Sequence, residues 1–147
     1  MNGTSDTAGP AGGGPERRFS SGTSWEPAVG YSRAVAAGDF AYVSGCTSVD
    51  GAEFVHPGDA YAQTAQAISN AAAGLAGLGA SLSDVVQTRI YVTDISRWRE
   101  YGRAHGEAFG DVRPATTMVQ VAALIEPEML VEIEVVAYRP GIGRIPC

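Results

Sequence analysis

Residues 113–138, Arg-Pro-Ala-Thr-Thr-Met-Val-Gln-Val-Ala-Ala-Leu-Ile-Glu-Pro-Glu-Met-Leu-Val-Glu-Ile-Glu-Val-Val-Ala-Tyr, decide the architecture. Arg113-Pro114 breaks the element before it, because the residue preceding a proline is driven away from helical geometry. Ala115 to Val121 then reads as a strand, rich in residues that suit a pleated surface. Pro127 marks a turn, and Met129 to Tyr138 is a second strand. Glu132 and Glu134 stand two apart in it, so their side chains leave the same face.

Outward from this stretch, apolar periodicity assigns the remaining elements. Behind a capping Asp94, the residues Trp98, Tyr101, His105 and Phe109 share one helix face expected to be buried. Val85 to Thr93, after a short Ser83-Asp84 cap, reads as a strand. Tyr61, Ala65, Ile68, Ala72 and Leu75 recur at helical spacing from about Asp59 to Leu78, and Gln63, Gln66, Ser69 and Asn70 form a polar, uncharged opposite face. Gly79 is placed to end that helix in a left-handed conformation. Gly45 to Gly58 has turn residues and no sustained pattern, which predicts a loop. Tyr31 to Val35 and Phe40 to Ser44 are strands joined at Gly38-Asp39. The order β-β-α-β-α-β-β describes an α+β fold, a mixed sheet with two helices packed on one face.

Residues 1–16 hold almost no large apolar group and are expected to form a disordered tail, since burial cannot offset their ordering entropy. The folded domain is expected over 17–139, with 140–147 as an irregular C-terminal arm. A net charge of -6 and a pI near 4.8 argue against a nucleic-acid groove, which needs clustered cations. All ten basic residues are arginines, and only Arg17 and Arg18 are adjacent. With no lysine in the chain, a Schiff base through a lysine amine is excluded. Cys46 and Cys147 make no disulfide framework, and no apolar run approaches the ~20 residues that span a bilayer. The N-terminus lacks the order of a secretion signal, so a cytoplasmic location is expected. Two His and two Cys lie nowhere at metal-ligand spacing, and nothing places His56 or His105 beside Cys46 to form a nucleophilic pair.

Five ordered segments then carry a resemblance: Val29-Gly-Tyr-Ser-Arg33, Gly38-Asp-Phe-Ala-Tyr-Val-Ser-Gly45, Val85-Val-Gln-Thr-Arg-Ile-Tyr-Val-Thr-Asp94, Arg113-Pro-Ala-Thr-Thr-Met-Val-Gln-Val121 and Leu130-Val-Glu-Ile-Glu134. Together they resemble the RidA/YjgF family across roughly residues 19–138. The resemblance implies a chorismate-mutase-like fold and a homotrimer with three clefts, one at each subunit interface. It also implies cofactor-free hydrolysis of reactive enamines and imines, such as 2-aminoacrylate, to a ketoacid and ammonia. Carried over residue by residue, the family's site tyrosine falls on Tyr31, its strand-end serine on Ser44 and its glutamate on Glu132. Its carboxylate-binding arginine falls on Thr116, and a pocket asparagine on Gly102. A guanidinium gives a carboxylate two charge-assisted hydrogen bonds where a hydroxyl gives one neutral bond. That difference amounts to roughly 2–3 kcal/mol of binding.

Each candidate has a bland alternative. Glu132 and Glu134 fit acid/base chemistry, and also a solvated or subunit-facing surface paired with Arg. Tyr31 suits a donor to a carbonyl or imine nitrogen, or half-buried packing. Ser44, Thr116 and Thr117 offer hydroxyls to the cleft, and threonine is also simply a good strand former. Arg33, Arg89 and Arg113 are the available replacements for the missing guanidinium, Arg113 being nearest in sequence to Thr116; interfacial salt bridges are their other role. Trp25 is expected in a loop, walling the cleft or packing on a neighbouring subunit.

Two functions follow as expectations. One is a cofactor-free hydrolase or tautomerase acting on an imine, enamine or related carbonyl metabolite. Its catalytic residues are Glu132 and Tyr31, and its substrate-binding residues Ser44, Thr116, Thr117, Arg113 and Trp25. The other is a non-catalytic trimer that holds a small molecule. Neither involves a metal, an organic cofactor, nucleic acid or a membrane. RNA cleavage, also associated with the family, sits poorly with the acidic balance.

Overall fold

The computed structural model describes residues 16–144; the expected tail over 1–16 lies, apart from Glu16, outside the described residues, as does the end of the expected arm at 145–147. The strands are β1 (Arg17–Phe19), β2 (Ala34–Ala37), β3 (Phe40–Cys46), β4 (Val49–Asp50), β5 (Glu53–Phe54), β6 (Val85–Val92), β7 (Ala115–Gln120) and β8 (Val131–Tyr138). The helices are α1 (Trp25–Val29), α2 (Ala60–Leu78) and α3 (Trp98–Phe109). Six strands form one mixed sheet in the order β1-β2-β3-β8-β6-β7, antiparallel except for the β6–β7 pair. The fold is the α+β arrangement expected, with the long helices α2 and α3 packed together on one face of the sheet.

Strand alternation divides that sheet. Val131, Ile133, Val135 and Ala137 on β8 are buried beneath the helices, whereas Glu132, Glu134, Val136 and Tyr138 point to the other, open face. Ala41 and Val43 on β3 and Thr88, Ile90 and Val92 on β6 join the core. Each fully buried valine or isoleucine contributes roughly 1.5–3 kcal/mol over its exposed state. The open face keeps Phe40, Tyr42 and Tyr138 exposed, with Phe40 edge-on to Tyr138 at 5.3 Å between ring centroids.

Several elements differ from the sequence reading. The strand expected from Tyr31 begins at Ala34, because the Tyr31 N–H closes the end of α1 by donating to Glu26 O at 3.0 Å and is lost to the ladder. Trp25 opens a five-residue helix too short to show periodicity. The expected 45–58 loop contains the β4–β5 hairpin, and β3 runs on to Cys46.

In α2 the buried stripe is Ala60, Thr64, Ala67, Ile68, Ala71, Leu75 and Leu78, rotated from the stripe predicted through Tyr61, Ala65 and Ala72. Alanine on nearly every side flattens the apolar contrast that periodicity relies on. Gln63, assigned to the polar face, is fully buried. Its amide donates to His56 O and Glu128 O and accepts from Leu130 N, tying the helix to the loop that enters β8. Buried polar groups survive only when paired in this way. Gly79 does end α2 with φ 87°. In α3 Tyr101 and Phe109 are buried as predicted, but Trp98 is exposed and His105 only half-buried.

Candidate functional site

The open face develops a corner where β3 loses register with β8. The ladder shifts between Val43 and Cys46, and such bulges re-aim side chains near functional sites. Here the irregularity sets Gly45 beneath Glu132. A Cβ on Gly45 would overlap the Glu132 carboxylate, so glycine is what lets that carboxyl lie against the backbone.

Arg33 braces the corner from β2's side. Its Nη1 donates to Ser44 O at 3.2 Å and Gly45 O at 2.7 Å, and its Nη2 donates to the Tyr31 hydroxyl at 3.2 Å. The guanidinium also sits 5.5 Å from the Tyr31 ring centroid. Because the Tyr31 oxygen accepts from Arg33, its own hydrogen remains available to a ligand. Arg33, considered as an anion anchor, thus serves backbone carbonyls and a phenol.

The two glutamates of β8 have separate fates. Glu134 accepts from the Tyr91 hydroxyl at 2.6 Å and from Arg89 at 3.4 Å. Among the described residues Glu132 has no hydrogen-bonding partner. Burial raises its pKa above the ordinary 4.5; the charge of Arg33 opposes the rise and that of Glu134 adds to it. A half-buried carboxyl of this kind keeps its proton to higher pH than a solvated one. Cys46, beside it, is buried, and that burial pushes its thiol up despite Arg33; a protonated thiol is a poor nucleophile.

Tyr31 and Ser44 line one groove of about 780 Å³ together with Ser32 and Val35. The Ser44 hydroxyl donates to Ser32 O at 2.7 Å, which fixes the strand end. Trp25 lines a different groove, of about 950 Å³, with Phe54 and Met129. Tyr31 itself is positioned by α1. Gly30 closes that helix at φ 86° and donates to Glu26 O. The Glu26 carboxylate is buried and accepts from Ser21 N, the Ser21 hydroxyl and the Thr23 hydroxyl. Burial pulls its pKa up, but hydrogen bonds from Ser21, Thr23 and Ser20 outweigh that and lower it to about 2. Sequence reasoning missed Glu26; a carboxylate three residues after Thr23 at a helix start was the available signal.

The remaining candidates lie elsewhere. Thr116 and Thr117, expected to serve one cleft together, project to opposite faces of the edge strand β7. Thr117 pairs in register with Arg89 and shares the open face. Thr116 pairs with the buried Thr88 and bonds its hydroxyl at 2.8 Å; Thr88 in turn bonds His105 Nε2 at 2.9 Å. Burial lowers the His105 pKa, favouring the neutral ring. Within one chain, then, Thr116 and Glu132 face opposite sides of the sheet and are separated by β6. Arg113 is exposed at φ 50°, a left-handed conformation that favours glycine. Among the described residues no group of three or more His, Cys, Asp or Glu could hold a metal ion, and no helix is long and apolar enough to cross a membrane.

Comparison with known proteins bears on the family and the fold. The family model described as Endoribonuclease L-PSP matches residues 22–139. The crystal structure of Rv2704 from Mycobacterium tuberculosis, described as a member of the YjgF/YER057c/UK114 family, is 51% identical with a TM-score of 0.77, covering 84% of this chain and 99% of that one. An uncharacterized Streptomyces coelicolor protein, SCO2049, is 40% identical over 86% of this chain and 94% of its own length. The 3-aminoacrylate deaminase RutC of Acinetobacter baylyi is 35% identical over 76% of this chain and 89% of its own.

Proposed function

This chain belongs to the endoribonuclease L-PSP family, the RidA/YjgF proteins, and from that premise we propose that it is a cofactor-free enzyme acting on an imine, enamine or related carbonyl metabolite. Glu132 carries the reading: it is a half-buried carboxyl with a raised pKa and no partner among the described residues, two positions from a glutamate fully engaged in structure. Tyr31, tied to that corner through Arg33, has a free phenolic hydrogen to offer. The deaminase named among the relatives supports the reaction class.

For a protonated imine the step balances simply. Water adds to the carbon while Glu132 takes its proton. The carbinolamine nitrogen receives that proton back as the C–N bond breaks, and the hydroxyl proton leaves with ammonia. The products are a carbonyl compound and ammonium, and Glu132 ends as a carboxylate. Tyr31 hydrogen-bonds the departing nitrogen or the forming carbonyl oxygen.

A ligand that touches Glu132 and Thr116 together needs a second copy, since one protomer turns them to opposite faces. The exposed aromatic side chains of the open face support the same homotrimeric assembly, with β7 of one subunit bordering the Glu132 corner of the next. Thr116 then borders the cleft with Tyr31, while Thr117 stays on the opposite face of β7 and Ser44 holds the strand end in shape.

The decisive experiment is turnover of a panel of imines and enamines, 2-aminoacrylate included, by wild type and Glu132→Gln. The expected loss in kcat is about 10²–10⁴-fold, the usual contribution of a positioned acid–base group; equal rates would remove Glu132 from the mechanism. A second reading, a trimer that binds a small molecule without converting it, is favoured by one observation: a neutral threonine stands where the family's carboxylate anchor falls. A ligand that stabilises the protein and is recovered unchanged selects that reading.

A further inference from the structure

Several partly exposed aromatic rings of this chain are covered by its own arginines. The Arg99 guanidinium lies 4.4 Å from the Trp98 ring centroid, Arg103 4.2 Å from that of Tyr61, and Arg33 5.5 Å from that of Tyr31. Each puts a cation over the electron-rich face of a ring. Trp25, the other tryptophan, is 44% exposed, and among the described residues no arginine stacks on it. Its ring belongs instead to the groove of about 950 Å³ that it lines with Val49, Phe54, Met129, Glu126 and Glu128.

That volume falls within the range of small-molecule pockets, roughly 300–1,000 Å³. The apolar lining is an indole, a phenyl ring, a thioether and a valine. The charge is of one sign: no arginine or histidine lines the groove, and among the described residues neither glutamate enters an ion pair. Each wall is also fixed from behind. Trp25 opens α1, whose Glu26 carboxylate holds Ser21 and Thr23. Asn70 on α2 donates to Thr47 O at 3.0 Å and to Val49 O at 2.7 Å, and Val49 pairs across the hairpin with Phe54. The buried Gln63 amide grips Glu128 O at 3.2 Å and Leu130 N at 2.9 Å, on either side of Met129. A groove held by three anchors loses little freedom when a ligand enters.

We propose that this groove is a second binding site, apart from the Glu132 corner, for a small organic cation: an ammonium group carried on an aromatic or alkyl body. The body packs among Trp25, Phe54 and Met129. The ammonium takes over Trp25 the place that Arg99 takes over Trp98, and it faces Glu126 and Glu128. A carboxylate in the same place meets two like charges and is turned away.

Phenethylammonium, phenethyl alcohol and phenylacetate are matched probes, with one ring and nearly one length but a positive, neutral or negative end. NMR titration of the isotopically labelled full-length protein reads the site at the Trp25 indole N–H, assigned with Trp25→Phe; the Trp98 indole N–H is the internal reference. Phenethylammonium should shift the Trp25 resonance saturably and bind about tenfold tighter than the alcohol, while phenylacetate leaves the resonance in place. Changing both exposed rim acids, Glu126→Gln with Glu128→Gln, should reduce that preference to about threefold, leaving the part owed to the ring. Trp25→Ala should abolish binding in ligand-detected NMR. Glu132→Gln should bind phenethylammonium as tightly as wild type; a tenfold weakening there would merge the groove with the catalytic corner and overturn the proposal of a separate site. Equal binding of the three probes, a preference for phenylacetate, or no saturable shift at Trp25 overturns the inference and leaves the Glu132 reading intact. A Trp25 resonance that moves with protein concentration and not with probe overturns it too, since a second copy then covers the groove.

Discussion

The corner at Glu132 and the edge at Thr116 solve opposite problems with similar materials. At the corner, an arginine, a tyrosine and a strand irregularity leave one carboxyl and one phenolic hydrogen uncommitted. At the edge, two threonines and a histidine bond to one another in a row that ties β7 through β6 to α3. Reactivity follows from which group is left without a partner. Glu132 and Glu134 make the point within a single strand, since they differ little in sequence and wholly in what they touch.

The sharpest way to break that comparison is to crowd the corner. Gly45→Ala pushes a methyl into the Glu132 carboxylate and should cost kcat at least about tenfold, a large share of what an acid–base group supplies. Its cost in stability should be small, because the atom it meets is the end of a flexible, half-buried side chain; unchanged turnover would mean that the carboxyl's position is immaterial. Arg33→Met removes the brace on Ser44 O, Gly45 O and Tyr31, and should destabilise the protein by roughly 2–3 kcal/mol, as hydrogen bonds from a charged donor are lost. Glu134→Gln, in contrast, should leave kcat nearly unaltered and cost about 1 kcal/mol or less in thermal unfolding, because its partner Arg89 is half-exposed. A kcat loss matching that of Glu132→Gln would erase the distinction between the two glutamates.

Acid should loosen the segment that presents Tyr31. Folding lowers the Glu26 pKa from 4.5 to about 2, so its contribution is complete above about pH 4.5 and is lost as pH falls towards 2. Trp25 fluorescence in a Trp98→Phe background should report a transition in that window, and the additional Glu26→Gln change should flatten it.

How much of this was legible beforehand depended on the kind of signal. Glu132 and Glu134 were readable as one face because a strand's period is fixed at two, and the Gly79 stop and Asp59 start of α2 carry their own chemistry. The same rule of two separates Thr116 from Thr117, yet composition made them look interchangeable. Gln63 was placed on the wrong face because its role comes from His56 and Leu130, far away in the chain or across a loop. Glu26 and the early end of the Tyr31 strand depend on a single helix turn, too short to leave a period. The bond from Thr88 to His105 joins β6 to α3, and no local pattern encodes it.

The central claim is that Glu132 exchanges protons from an environment that favours its neutral form. Carboxyl-carbon NMR titration of the wild-type protein, with Glu132→Gln identifying the resonance, measures this directly. The account requires a midpoint above 4.5, raised further in an Arg33→Met variant that folds. A midpoint at or below 4.5 would contradict it.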